Sequence, residues 1–173
     1  MAVLVAIGSS VADLLIRTAR PHDAVQGLVP GLAGMHDVED YPDAQTVPGL
    51  VVYRYDAPLF FANAENFRQR ALAAAERSGP VRWFVLNVEA NVEVDFTALE
   101  ALDAVREEIN RRGAIFALAR VKQDLLARLR SFGLVGKIGA EYLFPTLPTA
   151  VEAYQSWARQ HGTQPGPKAG QGD

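Results

Sequence analysis

The chain has 173 residues, of which 49% are hydrophobic, so it is long enough for one domain with a substantial core and short appendages. Its net charge of −3 argues against a nucleic-acid partner, because proteins that bind nucleic acids carry a strongly basic surface. The absence of cysteine excludes disulfides and thiolate metal sites.

The chain starts with an apolar segment, residues 2–16, which is followed by Arg17 and Arg20. A complete transmembrane helix needs about 20 apolar residues, and this segment is shorter and contains Asp13. A signal peptide would carry its basic residues before the apolar run. Three interpretations stay open: the end of a membrane-spanning helix, an amphipathic helix on a surface, or a packed helix of a soluble protein.

Two strands are predicted next. Val25, Leu28 and Val29 lie between proline and glycine residues and indicate a short strand, and residues 50–55 indicate a second one. Residues 31–49 between them have the composition of a loop. Two consecutive strands joined by such a loop predict an antiparallel pair at one edge of a sheet.

The rest of the chain alternates helices and strands. The apolar spacing predicts strands at residues 81–88, 114–119 and 142–144, and helices that begin near Asn63, Thr97, Asp124 and Thr149. This order predicts an α/β fold with a mostly parallel central β-sheet, an antiparallel edge strand and about four flanking α-helices. Asn63 is predicted to cap its helix, and Thr149 and Glu152 have capping-box spacing.

One turn connects the predicted central strand to the longest helix, and it combines an acidic and a hydroxyl side chain. It reads Val94-Asp95-Phe96-Thr97-Ala98-Leu99-Glu100. Backbone N–H groups point outward at such a helix N-terminus, so the turn can hold an anion, present a hydroxyl to a kinase or simply cap the helix. Thr97 and Glu100 fit a capping box, and both the capping role and a regulatory role remain open.

No catalytic residue and no metal site are predicted. His22, His36 and His161 lack the short spacing of metal-ligand clusters, and no phosphate-binding glycine motif is present. The serines have no recognisable base and orienting partner. Glu89 and Glu93, which precede the turn, are interpreted as solvated residues that complement the helix N-terminus rather than as acid–base catalysts.

Two further features extend the candidate site. Arg120 and Lys122 follow the next strand, and they are expected at the same edge of the parallel sheet, where ligands of such sheets tend to bind. They are either part of an anion site or a solvated surface pair. Phe96 is a candidate for an exposed apolar group near the turn, although a core position is the alternative.

Three segments together carry a resemblance to a known family. They are Arg20-Pro21-His22, the phrase Tyr55-Asp56-Ala57-Pro58-Leu59-Phe60-Phe61-Ala62-Asn63-Ala64, and Val94-Asp95-Phe96-Thr97-Ala98-Leu99. They resemble the carboxy-terminal cytoplasmic part of SulP-family sulfate and anion transporters. That part is the STAS domain, named for sulfate transporters and anti-sigma-factor antagonists. The resemblance covers residues 20–161, and the phrase ending at Asn63 is typical of the transporter branch.

The resemblance implies a STAS-type fold and a non-catalytic regulatory function on the cytoplasmic face of the cell membrane. Residues 1–20 are then the end of the last transmembrane segment or a linker helix, and residues 21–161 are the STAS domain. The composition of residues 162–173, rich in glycine, proline and glutamine, predicts a disordered tail. The implied partner is the transmembrane domain of the same transporter, with a homodimer formed through the transporter. No nucleic acid and no metal are expected.

The resemblance also assigns roles to the turn. In anti-sigma-factor antagonists the hydroxyl residue of the matching turn is the phospho-acceptor and the docking surface for a kinase. That role maps onto Thr97, with Asp95 as the acid of the motif and Phe96 between them. The chain departs from that branch, because the hydroxyl belongs to threonine and the intervening residue is bulky. A phosphoswitch centred on Thr97 is therefore the alternative function.

A nucleotide is the one ligand that the resemblance implies, and no other cofactor is expected. A GTP- or ATP-type nucleotide would place its phosphates at the helix N-terminus. The candidate contacts for an anion or nucleotide are Thr97, Ala98, Leu99, Arg120 and Lys122.

Overall fold

The computed structural model describes residues 2–91 and 93–162. The strands are β1 Asp23–Leu28, β2 Met35–Asp37, β3 Leu50–Tyr55, β4 Trp83–Asn87, β5 Ile115–Ala119 and β6 Leu143–Phe144. The helices are α1 Ala2–Ala19, α2 Ala64–Arg77, α3 Phe96–Arg111, α4 Gln123–Ser131, α5 Leu134–Ile138 and α6 Leu147–Gln160, with a short 3-10 turn at Ala140–Tyr142.

The strands form one sheet in the order β2-β1-β3-β4-β5-β6. The pairs from β3 to β6 are parallel, whereas β1 is antiparallel to both β3 and β2. The predicted α/β fold, with a mostly parallel sheet and an antiparallel edge, is confirmed. The edge strand β2 was missed, because its three residues, Met35–Asp37, lie in a glycine- and proline-rich segment and pair only through tertiary structure.

The central strand β4 is buried along its whole length, which explains its continuous apolar sequence. Phe84 and Leu86 point into the larger core, which α2, α3, α4 and α5 cover. Trp83 and Val85 point to the opposite face, where α6 covers them. The sheet thus has helices on both faces, and its parallel strands all end at one edge.

Helix α2 packs closely against the sheet because its inner face consists largely of alanine. Phe67, Ala71, Ala74 and Ala75 are buried, as their spacing predicts. Arg70 is exposed, and it donates from Nε to Oδ1 of the buried Asp23 at 2.7 Å. A buried carboxylate requires such a charged partner, and Asp23 lies on β1, far away in sequence.

Helix α6 begins before its predicted start. Thr146 is the N-cap, and the hydroxyl of Thr149 returns to the Thr146 N–H, so these two threonines form the capping box. The predicted box of Thr149 with Glu152 is therefore wrong. Thr149, at the third helical position, takes the place that glutamate or glutamine usually has in a capping box. The spacing of residues in the sequence does not reveal this exchange.

Helix α1 lies outside both cores among the described residues. Its side chains Val3, Leu4, Val5, Ile7, Val11 and Ile16 are each at least half exposed. Within residues 2–91 and 93–162, no helix combines the length and the apolar character that a membrane crossing requires. The assignment of residues 1–20 stays a prediction, and the predicted disordered tail, apart from Gly162, lies outside the described residues.

Candidate functional site

The first turn of α3 is held by Asp95. Asp95 is the N-cap, with extended backbone, and its Oδ1 accepts a hydrogen bond from the Ala98 N–H at 2.9 Å. Its Oδ2 accepts a second one from the Phe61 N–H at 2.7 Å. One carboxylate therefore caps the helix and fastens a separate loop to it.

The predicted capping box of Thr97 with Glu100 is wrong. Helix α3 begins at Phe96, so Thr97 is the second helical residue and cannot be the N-cap. Aspartate caps a helix as well as threonine does, and it offers a second oxygen to another donor. That donor, the Phe61 N–H, reaches Asp95 only in the folded chain.

Backbone hydrogen bonds also join the loop at residues 56–63 to the turn before α3. The Leu59 N–H donates to the Glu93 carbonyl at 3.0 Å, and the Asp95 N–H donates to the Leu59 carbonyl at 3.3 Å. Leu59 and Val94 form an isolated parallel bridge, and both side chains are buried. The loop at residues 56–63 and the turn before α3 thus form one ordered unit.

Asn63 organises the other end of this loop. It occupies the N-cap position of α2, as predicted, but its side chain does not cap the helix. Instead, Oδ1 accepts from the Phe60 N–H at 3.0 Å, and Nδ2 donates to the Pro58 carbonyl at 2.9 Å. Nδ2 also lies 3.4 Å from the carbonyl of Thr18, so this fully buried amide ties the end of α1 to the loop.

The loop and the turn present exposed aromatic rings. Phe61 is 72% exposed and Phe96 is 64% exposed, although apolar side chains of this size are normally buried. Phe61 packs edge-on against Phe60, with ring centroids 5.6 Å apart, and Phe96 packs edge-on against Phe132, at 5.3 Å. We call Phe60, Phe61, Phe96 and Phe132 the aromatic ledge. Phe96 belongs to this surface and not to the core.

Thr97 lies beside the ledge with an accessible hydroxyl. Its side chain is exposed, and it makes no hydrogen bond to any residue that the structure describes. Glu93 and Glu100 are exposed on either side of it in sequence. One cation approaches the turn, because Arg128 donates from Nη1 to the Val94 carbonyl at 3.1 Å.

The predicted anion site at the N-terminus of α3 already contains a carboxylate. The Ala98 N–H is occupied by Asp95 Oδ1, and the Leu99 N–H donates to the Asp95 carbonyl at 3.0 Å. The side chains of Ala98 and Leu99 are buried. An added anion would meet the negative charge of Asp95 where it needs free donors, so the geometry of the turn disfavours it.

The structure does not bring Arg120 to this turn. Arg120 lines a cavity of about 620 Å³ on the face of the sheet that α6 covers, together with Arg54 and Asn87. Lys122 is the exposed residue before α4 and makes no capping hydrogen bond. The sequence missed Arg54 and Asn87, although a polar residue at the end of each apolar strand was a visible signal.

The linker between α1 and β1 contains a histidine that pairs with the edge strand. His22 Nε2 and Asp37 Oδ2 lie 2.7 Å apart. The hydrogen bond to Asp37 raises the pKa of His22 above its ordinary value, and partial burial opposes this shift only in part. The Asp56 N–H donates to the His22 carbonyl at 2.9 Å, so the linker also joins the loop that carries the ledge.

Residues 41–150 match the family model of the STAS domain. The chain belongs to the STAS domain family. The predicted resemblance is therefore confirmed. Within this match lie the loop at residues 56–63, the turn at Asp95 and most of the sheet.

Relatives of this STAS domain include sulfate transporters. It is 62% identical over 154 residues to the probable sulfate transporter of Mycobacterium tuberculosis strain H37Rv, which covers 88% of this chain and 28% of that protein. It is 29% identical over 176 residues to sulfate transporter 3.1 of Arabidopsis thaliana, with 96% of this chain and 27% of that protein covered. The chain thus spans less than a third of the length of these relatives.

Solved structures share the STAS-type fold. The murine Slc26a9 anion transporter matches with a TM-score of 0.77 and 21% identity, over 89% of this chain and 25% of that one. The STAS domain of a SulP transporter from Vibrio cholerae matches with a TM-score of 0.58 and 19% identity, over 71% and 94%. A putative anti-sigma factor antagonist from Thermotoga maritima gives 0.54 and 17%, over 63% and 90%.

Proposed function

We propose that this chain is the regulatory STAS domain of a membrane sulfate transporter. In this proposal it lies on the cytoplasmic side and contacts the transmembrane domain of the same protein through α1 and the aromatic ledge. The observation that carries the proposal is the connection between these two apolar surfaces through Asn63. The sulfate transporters among its relatives support this choice of partner.

The exposed apolar area supports a docking function. The described apolar side chains of α1 contact neither core, and Phe61 and Phe96 project from an otherwise polar turn region. Contiguous exposed apolar patches on a folded domain usually mark an interaction site. Because the Asn63 amide reaches the Thr18 carbonyl, α1 leaves the domain beside the ledge, and one partner can cover both.

The hydrogen bonds around the ledge indicate that it is preorganised. The Asp95 carboxylate holds the Phe61 backbone next to α3. The bridge between Leu59 and Val94 holds the loop at residues 56–63 in place as well. A rigid apolar surface loses little conformational entropy on binding, so more of the contact energy remains as affinity. In this proposal, the rigid contact couples movements of the STAS domain to movements of the transmembrane domain.

The proposal assigns no catalytic activity to the domain. No group of three histidine, aspartate or glutamate residues within the described parts of the chain is arranged to hold a metal ion. The carboxylate of Asp95 is committed to two backbone donors and is not positioned as a base next to a free nucleophile. The domain acts through binding, as a module that regulates transport.

The docking function can be tested in the full-length transporter. Replacing both Phe61 and Phe96 with alanine should reduce sulfate uptake several-fold at an unchanged protein level in the membrane. Leu32 provides a matched control, since it is 48% exposed but lies outside the ledge, and Leu32→Ala should leave uptake unchanged. Normal uptake by the double phenylalanine variant would contradict the proposal.

A phosphoswitch at Thr97 is the second candidate function, and one observation favours it. Since Asp95 and not Thr97 caps α3, the threonine hydroxyl is free for modification. A phosphate there would sit near the positive end of the helix dipole and near Arg128, but also beside two glutamates. Mass spectrometry of the protein from its native host decides this point, because phosphate on Thr97 is required and its absence under all growth conditions rejects the switch.

A further inference from the structure

The cavity that contains Arg120 lies at the carboxyl edge of the parallel strands, on the face that α6 covers. It has a volume of about 620 Å³, which is within the usual range for small-molecule sites. It is separate from the aromatic ledge, because none of its lining residues belongs to the ledge or to α3. Its lining residues are of three kinds. Buried amides form the base of the cavity, charged side chains lie around this base, and apolar side chains form the sides.

The floor consists of two buried amides. Asn87 of β4 is 1% exposed and Gln26 of β1 is 5% exposed, and Asn87 Nδ2 donates to Gln26 Oε1 at 2.9 Å. On the same face of β4, the preceding positions Trp83 and Val85 pack into the core beneath α6. The last residue of β4 on this face is the amide Asn87 rather than another apolar residue. The floor of the cavity therefore carries hydrogen-bonding groups instead of core side chains.

Arginines flank this floor on both neighbouring strands. Arg54 of β3 pairs in register with Asn87, and so does Ala119 of β5, which Arg120 follows. Ala119 is fully buried, and its side chain is small. Arg54 contacts Asp56, and Arg120 Nη2 lies 2.9 Å from Glu89 Oε1.

Arg120 adopts an unfavourable backbone conformation in order to reach this position. Its φ is 64°, and it is the only non-glycine residue in the described parts of the chain with a positive φ. Such a conformation is costly for a residue with a side chain, and glycine would adopt it freely. An arginine in such a strained conformation indicates a functional role for its side chain.

The walls of the cavity are apolar. They are formed by side chains of β1, β2 and the start of α6, namely Leu28, Met35, Leu147, Pro148 and Val151. Glu152 of α6 also faces the cavity. The two arginines and the two glutamates that line the cavity balance in charge, so a ligand with one negative charge is tolerated better than an inorganic ion with several.

We propose that this cavity binds a small organic monocarboxylate with an apolar body. The carboxylate contacts Arg54 and Arg120, whose guanidinium groups each carry five N–H donors and can therefore hold a second carboxylate beside the internal one. The apolar body lies against Met35, Leu147 and Val151, and the amide floor receives any further polar group. This site is additional to the docking function. Through it, a small metabolite could regulate the domain.

Titration of the 173-residue chain with hexanoate tests the site by NMR. Saturable shifts of the backbone amides of Met35, Asn87 and Arg120 are expected, without shifts at Phe61 or Phe96. Hexanol tests the apolar contribution alone, and inorganic sulfate tests the charge alone. Both should bind at least tenfold more weakly than hexanoate. The proposal is overturned by an absence of saturable shifts with hexanoate, or by equal binding of sulfate or hexanol.

Variants separate binding from folding. Arg120→Gly removes the guanidinium group and also relieves the positive φ, so the domain should stay folded while hexanoate binds at least tenfold more weakly. Arg54→Gln should weaken binding to a similar extent. Arg130→Gln is the matched control, because Arg130 is exposed on α4 and does not line the cavity. Undiminished binding by a folded Arg120→Gly variant would exclude the site, and it would leave the docking proposal unaffected.

Discussion

Asp95 and Phe61 are 34 residues apart in sequence, yet the Asp95 carboxylate accepts a hydrogen bond from the Phe61 N–H at 2.7 Å. The other oxygen of the same carboxylate caps α3 through the Ala98 N–H. This relationship places two exposed phenylalanines, Phe61 and Phe96, on one ordered surface. It also frees Thr97 from the capping role that local sequence spacing suggests.

Asp95→Ala is expected to destabilise the domain by about 2 kcal/mol, since it removes a helix cap and a charge-assisted hydrogen bond together. Thr97→Ala should change the free energy of unfolding by less than about 0.5 kcal/mol, as is usual for an exposed residue without such contacts. Urea unfolding of both variants measures the difference. If Thr97→Ala were the more destabilising change, Thr97 and not Asp95 would be the cap.

Arg120 provides a second stability prediction. Arg120→Ala and Arg120→Gly both remove the side chain and its exposed pair with Glu89, which contributes little in solvent. They differ in backbone strain, because only glycine is relaxed at a φ of 64°. The glycine variant should therefore be more stable than the alanine variant by about 1 kcal/mol in thermal or urea unfolding. Equal stability would show that the backbone at Arg120 carries no strain.

The pair of His22 and Asp37 predicts a dependence of stability on pH. The pKa of His22 is raised in the folded state by the hydrogen bond to Asp37, with additional attraction from Asp56 and Asp23. The stabilisation is therefore fully present below the ordinary pKa of histidine, and it is lost as the pH rises through the raised value. Melting temperatures of the wild type and of Asp37→Asn should differ most at low pH within the folded range, and the difference should shrink as the pH rises through the raised pKa of His22. A constant difference would contradict this linkage.

Binding of a GTP- or ATP-type nucleotide stays a prediction of the family resemblance. The N-terminus of α3 is disfavoured for its phosphates, because Asp95 already holds the Ala98 N–H. We expect no shift of the amides at residues 95–99 when millimolar GTP or ATP is added in an NMR titration. Saturable shifts at these residues, abolished by Asp95→Ala, would instead restore the turn as the nucleotide site. Shifts confined to Arg120 and Lys122 would place the nucleotide at the next strand.

The organisation of the sheet could be predicted because its signals are local. The continuous apolar run of β4 requires cover on both faces, and the alanine-rich face of α2 requires close packing. The alternation of helices with strands implies parallel pairing and right-handed crossovers. The phrase from Tyr55 to Ala64 resembles the family in sequence alone, and the match over residues 41–150 confirms the family.

Other features depended on contacts between distant residues. The strand β2 pairs only because β1 offers it an edge, and the buried Asp23 receives its hydrogen bonds from Arg70 of α2 and Tyr53 of β3. Arg120 was expected at the same edge of the sheet as the Asp95 turn, either in an anion site or as part of a solvated surface pair. It lines the cavity that also contains Arg54, on the face of the sheet that α6 covers.

By itself, the sequence determined the alternation of strands and helices, the buried faces of the main helices and the resemblance to the family, because spacing and local motifs carry that information. Tertiary structure alone decided what the Asp95 turn does. A carboxylate has two oxygens, and sequence spacing identifies only the partner in its own helix. The second partner, the Phe61 N–H, is supplied by a loop that the fold brings to it, and it makes the turn part of a surface.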